Sequence, residues 1–178
     1  AGCSKKAPPV AEAPVTQPTT QIVADTTSFK ISYTQSDSLN PYESDTMNNT
    51  VAQDLVYEPL FRPDESLDVQ PEIASSYSYP DANIVDITLV SGLKFSNGDP
   101  LNASAVVTAF ENAKKSPLWG SSLAPISSAQ ALSDTAVRFN LSYKNEYAHQ
   151  LLTFPIAKTV EGENMLSAAE DICSPRAT

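Results

Sequence analysis

Gly92-Leu93-Lys94-Phe95-Ser96-Asn97-Gly98-Asp99-Pro100-Leu101, running into Asn102-Ala103-Ser104-Ala105-Val106-Val107, is the stretch from which the fold is read. Leu93 and Phe95 flank a polar Lys94, the spacing of a short strand with one apolar face. Asn97-Gly98-Asp99-Pro100 is a dense turn signal: glycine accepts a left-handed backbone, Asn and Asp bond their own main chain, and proline blocks continuation. Asn102 is placed to cap a helix, with Leu101 ahead of it as an apolar staple. From Ala103 to about Lys115, Val106, Val107, Phe110 and Ala113 recur at helical spacing on one face. Lys114 and Lys115 close that helix where cations suit its dipole, and Pro117 forbids a further turn.

Outward from this unit the period changes to two. Val85, Ile87 and Leu89 alternate with Asp86 and Thr88, and Val137, Phe139 and Leu141 with Arg138 and Asn140, so both segments are expected as half-buried strands. Phe29, Ile31 and Tyr33 alternate with Lys30, Ser32 and Thr34 and predict a first strand, broken by Asn40-Pro41. Ser44 or Asp45 is expected to cap a helix carrying Val51, Leu55 and Val56 on one face and ending before Pro59. Pro71 to Tyr79 is expected to be irregular, and Glu146 to Leu152 a short helix. Beyond Lys158 the pattern fades, and Thr178 follows no closing element. There is no internal repeat. Strands mixed with helices predict an α/β (mixed α+β) fold.

Composition excludes several classes. The 178 residues suffice for one domain with a hydrophobic core, at 41% apolar and 18% charged. Acids outnumber bases 21 to 11, a formal charge of -10, so the basic stripe of a nucleic-acid binder is missing. The acidity favours solubility. No apolar run approaches the ~18 residues of a membrane helix.

The opening Ala1-Gly2-Cys3-Ser4-Lys5-Lys6 resembles the end of a bacterial lipoprotein signal, in which cleavage before Cys3 precedes lipidation of its thiol. A Cys3–Cys173 disulfide is the alternative. From Ser4 to about Thr27 the chain is rich in Ala, Pro, Thr, Val and Gln, with Pro8, Pro9, Pro14 and Pro18 spread through it. Too little surface can be buried there to offset ordering entropy, so residues 1–27 are expected as a disordered tether and residues 28–178 as the folded part. Two or three acyl chains, at roughly 0.8 kcal/mol per buried CH₂, would anchor stably. In a bacterium the sequons at Asn48, Asn102 and Asn140 are chance matches.

No catalytic device emerges. His149 is the only histidine; it lies three residues after Glu146, and one such pair offers too few ligands for a metal site. A partly exposed surface histidine is the simpler reading. Cys173 lacks a basic neighbourhood to activate it. With 5 glycines the chain holds neither G-x-G-x-x-G nor a Walker sequence. Neither an enzyme nor a cofactor is expected.

Three segments together resemble the extracytoplasmic solute-binding proteins of ABC importers, family 5, which take peptides, nickel chelates and related ligands. They are Asn40-Pro41 with Val56-Tyr57-Glu58-Pro59-Leu60; Pro71-Glu72-Ile73-Ala74-Ser75-Ser76-Tyr77; and the Gly92–Val107 stretch. This chain has Ser104 and Ala105 where the family tends to place acids, Val90 where it often has arginine, and Asn97 where it has aspartate. The resemblance implies a two-lobed periplasmic-binding-protein-like fold closing on ligand at a hinge, of which this chain would be the N-terminal part of the large lobe, with the second lobe absent. It implies a lipid-anchored, extracytoplasmic component that captures a peptide or peptide-like solute and delivers it to ABC permease subunits. A nickel-chelate or opine binder of the same family is the alternative within the class, and an adhesive or signalling surface lipoprotein the alternative outside it. The same resemblance brings the stretch between Asn40-Pro41 and Tyr57 near the cleft, which singles out Tyr42, Met47, Asn48 and Asn49 as ligand-facing. With one wall of the cleft missing, the chain alone is expected to fold without holding a peptide tightly.

Overall fold

The alternating segments on either side of the 103–115 helix form the sheet on which that helix packs. In the computed structural model, residues 30–159 and the pair 165–166 are described. The chain divides into two units, residues 1–30 and 31–178. Cys3, the Pro-rich stretch, Phe29 and Cys173 lie outside the described residues.

Strands β1 (Phe61–Pro63) and β2 (Val69–Pro71) form a small antiparallel ribbon. Strands β3 (Ala74–Asp81), β4 (Ile84–Leu89), β5 (Ile126–Ser133) and β6 (Ala136–Leu141) form the main antiparallel sheet in the order β3-β4-β6-β5. β7 (Lys158–Thr159) pairs with β8 (Met165–Leu166). Helix α1 covers Met47–Asp54, α2 covers Ala103–Lys115, and a 3-10 turn covers Ala148–Leu151.

β4 and β6 are central, so their alternation is clean: Val85, Ile87 and Leu89, with Val137, Phe139 and Leu141, face inward and are buried. Val106, Ala109, Phe110 and Ala113 of α2 are buried in the same core, with the helix lying chiefly over β5 and then β6. Phe110 sets its ring edge-on to Phe139, centroids 5.4 Å apart, and lies 6.1 Å from Phe154. On the outer face Arg138 donates two hydrogen bonds to Asp86, at 2.8 and 2.7 Å. Asn102 caps α2 as its sequence requires, its side-chain oxygen accepting Ala105 N–H at 3.0 Å. The turn before it uses Gly92 at φ 78° and Gly98 at φ 87°, a backbone region that favours glycine. Leu93 and Phe95 are buried, but this stretch makes isolated bridging contacts, among them Lys94 to Pro100, rather than a strand.

Four further expectations are corrected. No strand forms from Ile31 to Thr34; Ile31 and Tyr33 are exposed, because no described strand lies beside them to bury one face. α1 turns the opposite way from its apolar pattern: Asn49, Ala52 and Gln53 are buried, while Val51, Leu55 and Val56 are exposed. Its N-cap is Thr46; Ser44 is instead buried against Asp37. Pro71 to Tyr79 is not irregular, since it contributes the last residue of β2 and most of β3. β3 is an edge strand exposed on both faces, so alternation never appears in its serines.

His149 is the fourth correction, being buried rather than at the surface. It stacks on Tyr77 with ring centroids 4.1 Å apart. The Tyr79 hydroxyl accepts the His149 backbone N–H at 3.1 Å and lies within hydrogen-bond distance of Nδ1, at 2.8 Å. Glu146 pairs with Lys144 instead, at 2.7 Å. Burial pushes the His149 pKa below its ordinary 6.5, so the fold holds the neutral ring. The resulting stability is complete above that ordinary value and is lost as pH falls below it toward the folded pKa. Thermal melts between about pH 5 and 7.5 are expected to show falling stability on acidification, with a shallower fall in His149→Gln.

Candidate functional site

The segment entering α1 is held by a single carboxylate. Asp37 Oδ2 accepts the hydroxyls of Ser44 and Thr46, each at 2.6 Å, and Asn49 Nδ2–H at 3.2 Å; Asp37 Oδ1 accepts Ser38 N–H at 2.8 Å. Asn49 completes the knot by accepting Thr34 N–H at 2.7 Å and donating to the carbonyls of Thr34 and Ser38, both at 3.1 Å. The hydrogen bonds from Ser44 and Thr46 hold the Asp37 pKa at about 2, below the ordinary 3.8. Their contribution is present in full above 3.8 and lost as pH falls through about 2. An NMR acid titration should show the Asn49 side-chain amide losing its native shift within that window, and Asp37→Asn should abolish the transition.

The knot presents the turn Asn40-Pro41-Tyr42. Asn40 Oδ1 accepts Tyr42 N–H at 3.0 Å, and Trp119, just past the end of α2, donates its indole N–H to the Pro41 carbonyl at 3.1 Å. Between this turn and the last turn of α2 opens a cleft of about 280 Å³, lined by Asn40, Tyr42, Glu43, Asn112 and Lys115. A carboxylate and an ammonium, with two amides, thus line one small depression. That set can orient a polar solute bearing both charges and peptide-like groups.

Of the residues expected to face ligand, Tyr42 alone lines this cleft. Its ring is buried, and its hydroxyl is turned inward, donating to the Pro155 carbonyl at 2.8 Å and accepting Ala157 N–H at 3.0 Å. Burial pushes its pKa upward, so it stays protonated. Asn49 is wholly buried, its amide bonded to Thr34, Asp37 and Ser38 within the knot. Met47 and Asn48 are exposed on the first turn of α1, outside the cleft. Asn40, Glu43, Asn112 and Lys115 escaped sequence reasoning. Asn112 and Lys115 sit three apart on the polar side of α2, where nothing separates a site from an ordinary wetted face.

The model of the bacterial extracellular solute-binding proteins, family 5, matches residues 68–172. The nickel-binding protein NikA of Staphylococcus aureus is 37% identical over 95 residues, covering 53% of this chain and 18% of the relative. Among solved structures, S. aureus NikA in complex with Ni(L-His)2 superposes with a TM-score of 0.61 at 26% identity, over 74% of this chain and 29% of that one. The oligopeptide-binding protein AppA of Bacillus subtilis, in complex with a nonapeptide, gives 0.58 at 26% identity, over 67% and 25%. The Escherichia coli murein tripeptide binding protein MppA shares the fold at 20% identity, with a TM-score of 0.58. The chain thus spans less than a third of the length of each of these proteins.

Proposed function

Because the chain belongs to family 5 of the bacterial extracellular solute-binding proteins, we propose that it forms one wall of the capture site of an ABC importer's binding component. The family is one of extracytoplasmic binders, so the chemistry asked of this wall is recognition rather than bond making. The solute proposed is a peptide or peptide-like molecule, passed after capture to permease subunits. Cys3 is proposed as the lipid-bearing residue and residues 1–27 as its tether.

The observation that carries this reading is the cleft at Asn40–Glu43, where Glu43 and Lys115 bring opposite charges beside two amides on a turn held from both sides. A rigid frame lowers the ordering cost of binding. Met47 and Asn48, exposed nearby in sequence, are proposed as further ligand contacts that a facing lobe would complete. The nickel-chelate alternative draws on the NikA relatives. Among the described residues no three His, Cys, Asp or Glu side chains are grouped to hold a metal ion. A chelated metal would therefore be gripped here through its organic chelator.

The test is calorimetric titration of the natural full-length protein carrying this segment, with a peptide pool and with a nickel–histidine chelate in parallel. Peptide is expected to bind at micromolar levels, and Glu43→Gln and Lys115→Gln to weaken it about tenfold each, roughly 1.4 kcal/mol. Binding of the chelate alone would select the alternative, and binding of neither would leave the adhesive or signalling lipoprotein. Trp119 is the chain's one tryptophan, so its emission is expected to shift when solute presses on the Pro41 turn.

A further inference from the structure

A second cleft, of about 440 Å³, opens between the first turns of α2, the 95–100 turn and the chain entering β7, and shares no lining residue with the first. Its apolar lining comes from Phe95, Pro100, Ala105 and Ala157, and Asp99 and Lys158 bring the charge. Lys158 Nζ lies 2.6 Å from Asp99 Oδ2 and 5.9 Å from the centre of the Phe95 ring. Both charged side chains are more than four-tenths exposed, at 42% and 45%, so they stand at the mouth. Asn97 Nδ2–H also bonds Asp99 Oδ2, at 2.7 Å. A surface ion pair of this kind adds little to stability, so opening it costs the fold little.

We propose that this cleft binds a zwitterionic solute with an apolar body, of the size and charge spacing of an apolar α-amino acid. The charge pattern decides the class. A simple anion would take Lys158 and strand Asp99, and a simple cation would do the reverse. A molecule whose ammonium and carboxylate flank one carbon inserts between the two side chains and replaces one ion pair with two. No acidic residue occupies the first turn of α2, so nothing on that turn repels the incoming carboxylate. The apolar body lies on Phe95, Pro100, Ala105 and Ala157. The volume falls within the roughly 300–1,000 Å³ of small-molecule sites. This site does not depend on the capture reading for the first cleft.

The test is an NMR titration of the ¹⁵N-labelled chain with L-leucine, beside 4-methylpentanoate, which lacks the ammonium, and isopentylamine, which lacks the carboxylate. Leucine is expected to give saturable shifts at the amides of Asp99 and Lys158, and each singly charged analogue to bind at least about tenfold more weakly. Asp99→Asn and Lys158→Gln should each weaken leucine about tenfold, while Lys144→Gln, whose charge pairs with Glu146, should change it less than about twofold. Equal saturation by all three compounds overturns the proposal. So do shifts confined to Asn40, Glu43 and Asn112, or no saturable shift up to about 100 mM leucine.

Discussion

Phe110→Ala is expected to lower the free energy of unfolding by about 3–5 kcal/mol, measured by urea denaturation followed by circular dichroism. The ring is fully buried, edge-on to Phe139 and beside Phe154, so truncation removes aromatic contacts on two sides at once. Phe139 cannot easily collapse into the space, because it is fixed by strand pairing on both flanks, facing Val85 on one side and Ala129 on the other. The loss is a large fraction of the roughly 5–15 kcal/mol that holds a typical domain. Val107→Ala, on the half-buried side of the same helix, is the reference and should cost clearly less.

Tyr42→Phe is expected to cost about 1–3 kcal/mol through the stranded Ala157 N–H alone, and more if the Pro155 carbonyl also goes without a partner. The two rings have the same shape, so packing is kept and only the hydroxyl is lost. That hydroxyl joins the Asn40–Tyr42 turn to the main chain at residues 155–157, which itself returns to Glu58 through Ile156 N–H at 2.9 Å. Amide hydrogen exchange should accelerate at Ala157 and leave Phe139 nearly unchanged. Equal acceleration at both would mean that Tyr42 supports the whole fold rather than this junction.

The parts of the fold legible in the sequence are those with one wet face and one dry face. β4, β6 and α2 qualify: each buries one set of side chains against the others, and their bounds follow the periodicity closely. β3 and β5 do not qualify. They are edge strands of serine, alanine and scattered tyrosine, so no amphipathic signal marks them. α1 misleads for the opposite reason, since its buried face is built from Asn49 and Gln53 as well as Ala52, and Asn49 is fixed there by hydrogen bonds that composition does not announce.

Of the first cleft, the Asn40–Tyr42 turn was legible and the rest was not. Tyr42 and Asn49 carry ligand-like chemistry, yet their polar atoms are committed to the protein itself. Glu43 and Lys115 become neighbours only because Trp119 and the Asp37 knot fold distant segments onto one another. Local sequence carries no trace of that meeting.

Lys114 shows what else the sheet needs. It reaches from α2 to the start of β5 and donates to the carbonyls of Ile126 and Ser127 at 2.8 and 2.9 Å. At the other side of the sheet, β3 breaks register twice and carries Pro80. An uncovered eight-residue edge is a template on which a second molecule can add its own strand. The Lys114 ammonium occupies the first two carbonyls at one margin, and register breaks with a proline interrupt the strand at the other, so each edge offers an approaching chain a shorter run of groups to pair with.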